Sequence, residues 1–139
     1  MSNLLKLENQ VCFPLYAFSR EVTQLYKPLL DELGLTYPQY LVMLILWEEK
    51  EQTVNQIGEK LYLDSGTLTP LLKRMEQKGI INRKRSTADE RVVVVSTTDL
   101  GAGMMDRATC IPDQLIAALG LSIDELSQLK TIINKALVR

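Results

Sequence analysis

Histidine is absent from the 139-residue chain, and that alone removes a large part of enzymology. Without an imidazole there is no Ser-His-Asp triad, no Cys-His pair and no histidine metal site. Cysteine is scarce: Cys12 and Cys110 are the only two, too few for a four-cysteine zinc site within one chain. Long apolar runs are missing too. The longest, residues 41–47, falls far short of the ~18 residues that a membrane span requires. Residues 1–6 carry neither a long apolar stretch nor a small-residue cleavage site, so no signal peptide is expected. No glycine-rich phosphate loop and no internal repeat is found. These absences predict a cytoplasmic chain with no membrane contact, no metal, no cofactor and no enzymatic role. In that compartment thiols stay reduced, and two cysteines read as reactive or buried residues rather than as a staple.

What is present is an ordinary globular composition, 46% hydrophobic and 24% charged, enough for one compact domain over residues 1–139. The formal charge of −1 hides an uneven distribution. Residues 73–91 hold Lys73, Arg74, Lys78, Arg83, Lys84, Arg85 and Arg91 against Glu76, Asp89 and Glu90, a net +4 that leaves −5 for the remainder. Charge of one sign gathered on one segment is the footprint of a nucleic-acid surface, although a solvated face is the commoner origin of a charge run.

Helix starts are marked by three capping boxes, Thr36-Tyr37-Pro38-Gln39, Thr53-Val54-Asn55-Gln56 and Ser122-Ile123-Asp124-Glu125. Gly34, Gly79 and Gly120 stand where helices should stop. The predicted helices are 13–33, 37–49, 53–61, 65–78, 99–118 and 122–137. Between Gly79 and Thr98 the pattern turns strand-like, with residues 80–85 and the β-branched run 92–95 flanking a polar turn. Helix, helix, hairpin is the order of a winged helix-turn-helix. The expected fold is therefore mostly α with a small β-hairpin, an α+β arrangement. Residues 37–98 are the expected DNA-binding region, flanked by helical segments over 1–36 and 99–139.

Leu68, Leu71, Leu72 and Met75 follow helical spacing and form a core stripe. Opposite that stripe or on its shoulders lie Gly66, Thr67, Thr69, Pro70, Lys73 and Arg74. Thr67 and Thr69 suit base contacts, while Lys73 and Arg74 suit phosphates or guanine. In the hairpin, Arg83 and Arg85 approach the tip. Arg91 follows Asp89 by two residues, a spacing that lets a carboxylate orient a guanidinium for the minor groove.

The run Asp64-Ser65-Gly66-Thr67-Leu68-Thr69-Pro70-Leu71-Leu72-Lys73-Arg74-Met75-Glu76, followed by Asp89-Glu90-Arg91, resembles the winged-helix region of MarR-type repressors. Leu7-Glu8-Asn9-Gln10-Val11-Cys12-Phe13 and Thr36-Tyr37-Pro38-Gln39-Tyr40 resemble, within that family, the organic hydroperoxide resistance regulators. The resemblance weakens after about residue 103. It implies a homodimer held by dimerisation helices of residues 1–36 and 99–139 that represses at a pseudo-palindromic double-stranded operator, with Ser65, Thr67, Asp89 and Arg91 at the DNA. It also implies that Cys12 senses organic hydroperoxide. Tyr26 and Tyr37 would hydrogen-bond the thiolate from the partner subunit, with Tyr16 nearby.

Oxidation of such a thiol yields a sulfenic acid that condenses with a second thiol. The resemblance to two-cysteine members points to Cys110 of the other subunit, and a small cellular thiol is the alternative. Pro14 departs from the family pattern, yet it suggests a helix opening that leaves Cys12 near a positive helix end. Two other readings stay open. In one, Cys12 merely packs and the repressor answers to a small aromatic ligand. In the other the chain is a thiol peroxidase, which leaves the basic segment and the wing without purpose.

Overall fold

The computed structural model describes residues 3–138. They divide into two compact units, residues 26–109 and the two chain ends, up to residue 25 and from residue 110. α1 (Cys12–Asp31) contributes residues to both.

In the larger unit, α2 (Tyr37–Glu49) begins at the predicted capping box, with Thr36 and Gln39 exchanging side-chain and backbone hydrogen bonds. Tyr40, Val42, Met43, Ile45 and Leu46 are all buried, as befits a helix apolar around most of its circumference. β1 (Glu51–Thr53) leads into α3 (Val54–Leu61), opened by the second capping box at Thr53. α4 (Ser65–Gln77) follows a tight turn. Tyr62 there takes a left-handed φ of 56°, and the Leu63 N–H donates to the Gly58 carbonyl at 2.9 Å. A Cβ on Gly58 would stand 2.7 Å from the Leu63 carbonyl oxygen, so this close crossing admits only glycine.

β2 (Ile81–Arg85) and β3 (Val93–Thr97) form the predicted hairpin. The antiparallel sheet has the order β1-β3-β2, with Gln52 and Arg83 both opposite the buried Val95. The fold is a winged helix-turn-helix, mostly helical with a small sheet, as the sequence predicts. β1 is the unanticipated strand. Glu51-Gln52-Thr53 has no apolar alternation and becomes a strand only because β3 offers it a free edge.

The predicted helix 99–118 is broken into α5 (Asp99–Gly103), α6 (Met105–Ala108) and α7 (Ile111–Leu119). Pro112 has no N–H for the Ala108 carbonyl and its ring crowds that oxygen, while Gly101 and Gly103 weaken the first segment. Gly101 earns its place by contact. A Cβ there would lie 2.1 Å from the Ile80 carbonyl oxygen, and the Trp47 indole N–H donates to the Gly101 carbonyl at 2.9 Å.

In the second unit two 3-10 turns, Asn3–Leu5 and Leu7–Asn9, precede α1, and α7 is followed by α8 (Ile123–Leu137) from the third capping box. Gly34, Gly79 and Gly120 all take positive φ at helix ends. No helix among the described residues is long and apolar enough to cross a membrane.

Candidate nucleic-acid interface and thiol site

α4 owes its sharp start to Asp64, whose carboxylate accepts the Thr67 N–H at 2.7 Å. That backbone hydrogen bond, followed by one from the Thr67 side chain, holds the Asp64 carboxyl below the usual carboxylate range. Leu68, Leu71, Leu72 and Met75 are buried, and Ser65, Gly66, Thr67, Thr69, Pro70, Lys73 and Arg74 are exposed. The helix therefore turns hydroxyls toward solvent over its first two turns and cations over its last. Pro70 lies inside α4, its ring on the exposed side. The missing N–H costs the Gly66 carbonyl its helical partner.

The hairpin tip is ordered by its own side chains. Arg85 Nη1 donates to the Glu90 carbonyl at 2.9 Å. Arg91 grips Asp89 through Nε to Oδ1 at 3.1 Å and Nη2 to Oδ2 at 3.2 Å. Asp89 also accepts the Arg91 backbone N–H at 3.0 Å, and these bonds, the side-chain ones foremost, depress its carboxyl. Arg83 has a different position from the one the sequence suggested. Its guanidinium turns away from the tip to Glu76 on α4, Nη2 to Oε1 at 3.1 Å, and its backbone N–H meets Oε2 at 3.2 Å. The hydrogen bond from Arg83 is the main reason that the Glu76 carboxyl is depressed.

Cys12 is the first residue of α1 and Pro14 lies in the same opening turn, at the positive end of the helix dipole. Its side chain is exposed and joins the wall of an apolar groove of about 560 Å³, where Val11, Leu15 and Phe18 face Leu129, Ile132 and Ile133 of α8. One turn on, Tyr16 is exposed and carries the Arg20 guanidinium 5.3 Å from its ring centre. Cys110 immediately precedes α7 and is also exposed.

In the larger unit Tyr26 and Tyr37 meet with ring centres 4.7 Å apart, joined by Tyr40 at 5.7 Å from Tyr26. Burial, then the neighbouring Tyr37 and Tyr40, push the Tyr26 phenol up to about 12. Burial raises Tyr37 as well.

Sequence reading missed three groups: the Asp64 cap, the Glu76–Arg83 clamp and Tyr40. Asp64 stands directly before the first helical residue and was legible as an N-cap. The clamp depends on how α4 meets β2, for which no local pattern exists.

Comparison with known proteins matches residues 24–108 to the family described as transcriptional regulator SarA/Rot. The chain is similar to the organic hydroperoxide resistance transcriptional regulator of Bacillus subtilis (strain 168). The two are 58% identical over 127 residues, which cover 91% of this chain and 86% of that one. It is also similar to AbfR, a protein of Staphylococcus epidermidis. Reduced AbfR bound to DNA superposes with a TM-score of 0.80 at 38% identity, covering 98% of this chain and 96% of the other. Overoxidised AbfR bound to DNA gives a TM-score of 0.76 at 37% identity, over 97% and 99% of the two chains. The disulfide-formed AbfR gives 0.63 at 40% identity, over 93% and 86%.

Proposed function

The chain belongs to the MarR/SarA-type winged-helix transcriptional regulators, and on that premise we propose that it is a homodimeric, DNA-binding repressor that senses organic hydroperoxides through Cys12. The observation that carries the sensing role is the situation of Cys12: first residue of α1, exposed, in the wall of an apolar groove. A hydroperoxide is an apolar chain ending in a polar O–O–H group, and such a groove suits both parts.

α4 enters the major groove with Ser65, Thr67 and Thr69 toward base edges and Lys73 and Arg74 toward phosphates. Arg91, held by Asp89, reaches the minor groove, and Arg85 stiffens the tip behind it. Arg83 acts indirectly, through Glu76. Two α4 helices span half-sites about one helical turn (~34 Å) apart, so a modest rotation within the dimer spoils simultaneous docking. Dimerisation through the chain ends is supported by the apolar side chains that α1 and α8 expose outside the Cys12 groove, among them Phe13, Ile123 and Leu137.

The Cys12 thiolate attacks the terminal peroxide oxygen. The O–O bond breaks, the alcohol leaves with a proton, and the sulfur becomes a sulfenic acid. The Cys110 thiolate of the second subunit then attacks that sulfur. An S–S bond forms, and the hydroxyl leaves as water after taking a proton. A small thiol performs the same condensation where Cys110 does not reach. The relative solved on DNA while overoxidised supports taking the disulfide, rather than oxygen on sulfur, as the releasing event. Tyr26 and Tyr37 are assigned to hydrogen-bonding the thiolate across the dimer, with Tyr16 beside it.

The test is operator binding before and after one equivalent of cumene hydroperoxide, with intact mass measured in parallel. Release in the unmodified chain and retention in Cys12→Ser are expected; full peroxide sensitivity of the serine variant overturns the assignment. The same groove favours one further reading, a small aromatic ligand as the signal. Thermal protection by such a ligand, unaffected by Cys12→Ser, would establish it.

A further inference from the structure

Lys78 directly follows α4, and its ammonium does not project freely into solvent. Nζ donates to the Gly34 carbonyl at 2.6 Å and to Gln39 Oε1 at 2.9 Å. Gln39 is 4% exposed, the buried polar residue among the described residues. Its Oε1 also accepts the Thr36 N–H at 3.1 Å as part of the α2 capping box. One oxygen thus joins the start of α2 to the end of α4. Gly34, at φ +68°, turns the α1–α2 connection so that its carbonyl meets the same ammonium.

Tyr37 follows Thr36 as the first residue of α2 and packs against Tyr26 with ring centres 4.7 Å apart and planes tilted by 41°. The turn that leads into Tyr37 and the C-terminal end of the recognition helix therefore share one cation. A hydrogen bond from a charged donor is stronger than a neutral one, and Gln39, one of the two acceptors, is buried. A cation after the last turn of α4 also complements the negative end of its dipole.

We propose that Lys78 is a positioning residue that transmits the state of the Tyr26–Tyr37 pair to α4, fixing the recognition helix in its operator-competent orientation through Gly34 and Gln39. This rests on the sensing role proposed for Cys12. Displacement of Tyr37 shifts the N-terminal turn of α2, which withdraws the Gln39 acceptor and frees the end of α4.

The experiment measures the operator Kd of full-length wild type, Lys78→Met and Lys78→Arg, each reduced and each oxidised by cumene hydroperoxide with oxidation verified by mass. In Lys78→Met the reduced form should lose about tenfold in affinity while the oxidised form changes little, so the reduced-to-oxidised ratio contracts by the same factor. Lys78→Arg, which keeps the charge and the donors, should restore most of the ratio. An equal loss in both redox states, with a shallower salt slope, marks a simple phosphate contact and overturns the proposal. So does a wild-type ratio in Lys78→Met. A wild-type chain that keeps its operator when oxidised overturns the sensing reading itself, and the coupling with it.

Discussion

The carboxylate of Asp89 holds the Arg91 guanidinium by two parallel hydrogen bonds while the arginine side chain remains 90% exposed. An isolated surface pair of this kind adds little to stability. Its value is geometric, because it presents a cation in a set direction at the tip of the wing. Arg91→Ala should therefore leave the melting temperature almost unchanged and weaken operator binding by about 10- to 100-fold. Arg91→Lys, which cannot form the bidentate pair, should recover only part of the loss. Competition binding over a salt series checks both, and normal affinity in Arg91→Ala removes the wing from the interface.

Asp64 couples acid stability to the start of α4, the helix proposed to contact DNA. Its folded-state carboxyl lies below the unfolded value of 3.8. The contribution is fully present above that value and disappears as pH falls through the depressed folded value. Asp64→Asn keeps a cap acceptor and should flatten this part of the acid unfolding curve. Asp64→Ala should lower the melting temperature by a few degrees at neutral pH. Thermal melts of both variants between neutral pH and the acid limit distinguish the two effects.

Tyr26 predicts the opposite limb. Its phenol is raised from 10.0 to about 12, so the unfolded chain ionises first. The neutral buried phenol stabilises the fold below pH 10.0 and that contribution is lost as pH climbs toward about 12. Ultraviolet titration of the folded protein should show a late phenolate step that is missing from Tyr26→Phe. The variant should also lose less stability across that window.

Two glycines only two residues apart should respond in opposite ways. Gly101→Ala drives a methyl into the Ile80 carbonyl at 2.1 Å and should cost about 3 kcal/mol. Nothing lies within 4 Å of a Cβ at Gly103, so Gly103→Ala should be neutral or stabilising by up to about 1 kcal/mol. Urea denaturation compares them directly.

Covalent dimer formation tests the second cysteine. Peroxide-treated protein should run as a dimer on non-reducing electrophoresis and revert with dithiothreitol. Cys110→Ser should abolish the band, and a persisting one eliminates Cys110 as the resolving thiol.

Local sequence determined the features that depend on near neighbours. A hydroxyl three residues before Gln or Glu is enough to start a helix, and Thr36, Thr53 and Ser122 all do so. The spacing of Leu68, Leu71, Leu72 and Met75 was enough to set which side of α4 is buried, and a two-residue separation was enough to join Asp89 to Arg91. Tertiary structure alone decided the rest. Glu51-Gln52-Thr53 is a strand because β3 had an unpaired edge, and Arg83 left the wing tip because Glu76 lay within reach across seven residues. Lys78 found Gly34 and Gln39 across 44 and 39 residues. Propensity and periodicity act over a few residues, whereas a hydrogen bond or ion pair forms with whatever the folded chain brings within about 3 Å, and no local pattern encodes that meeting.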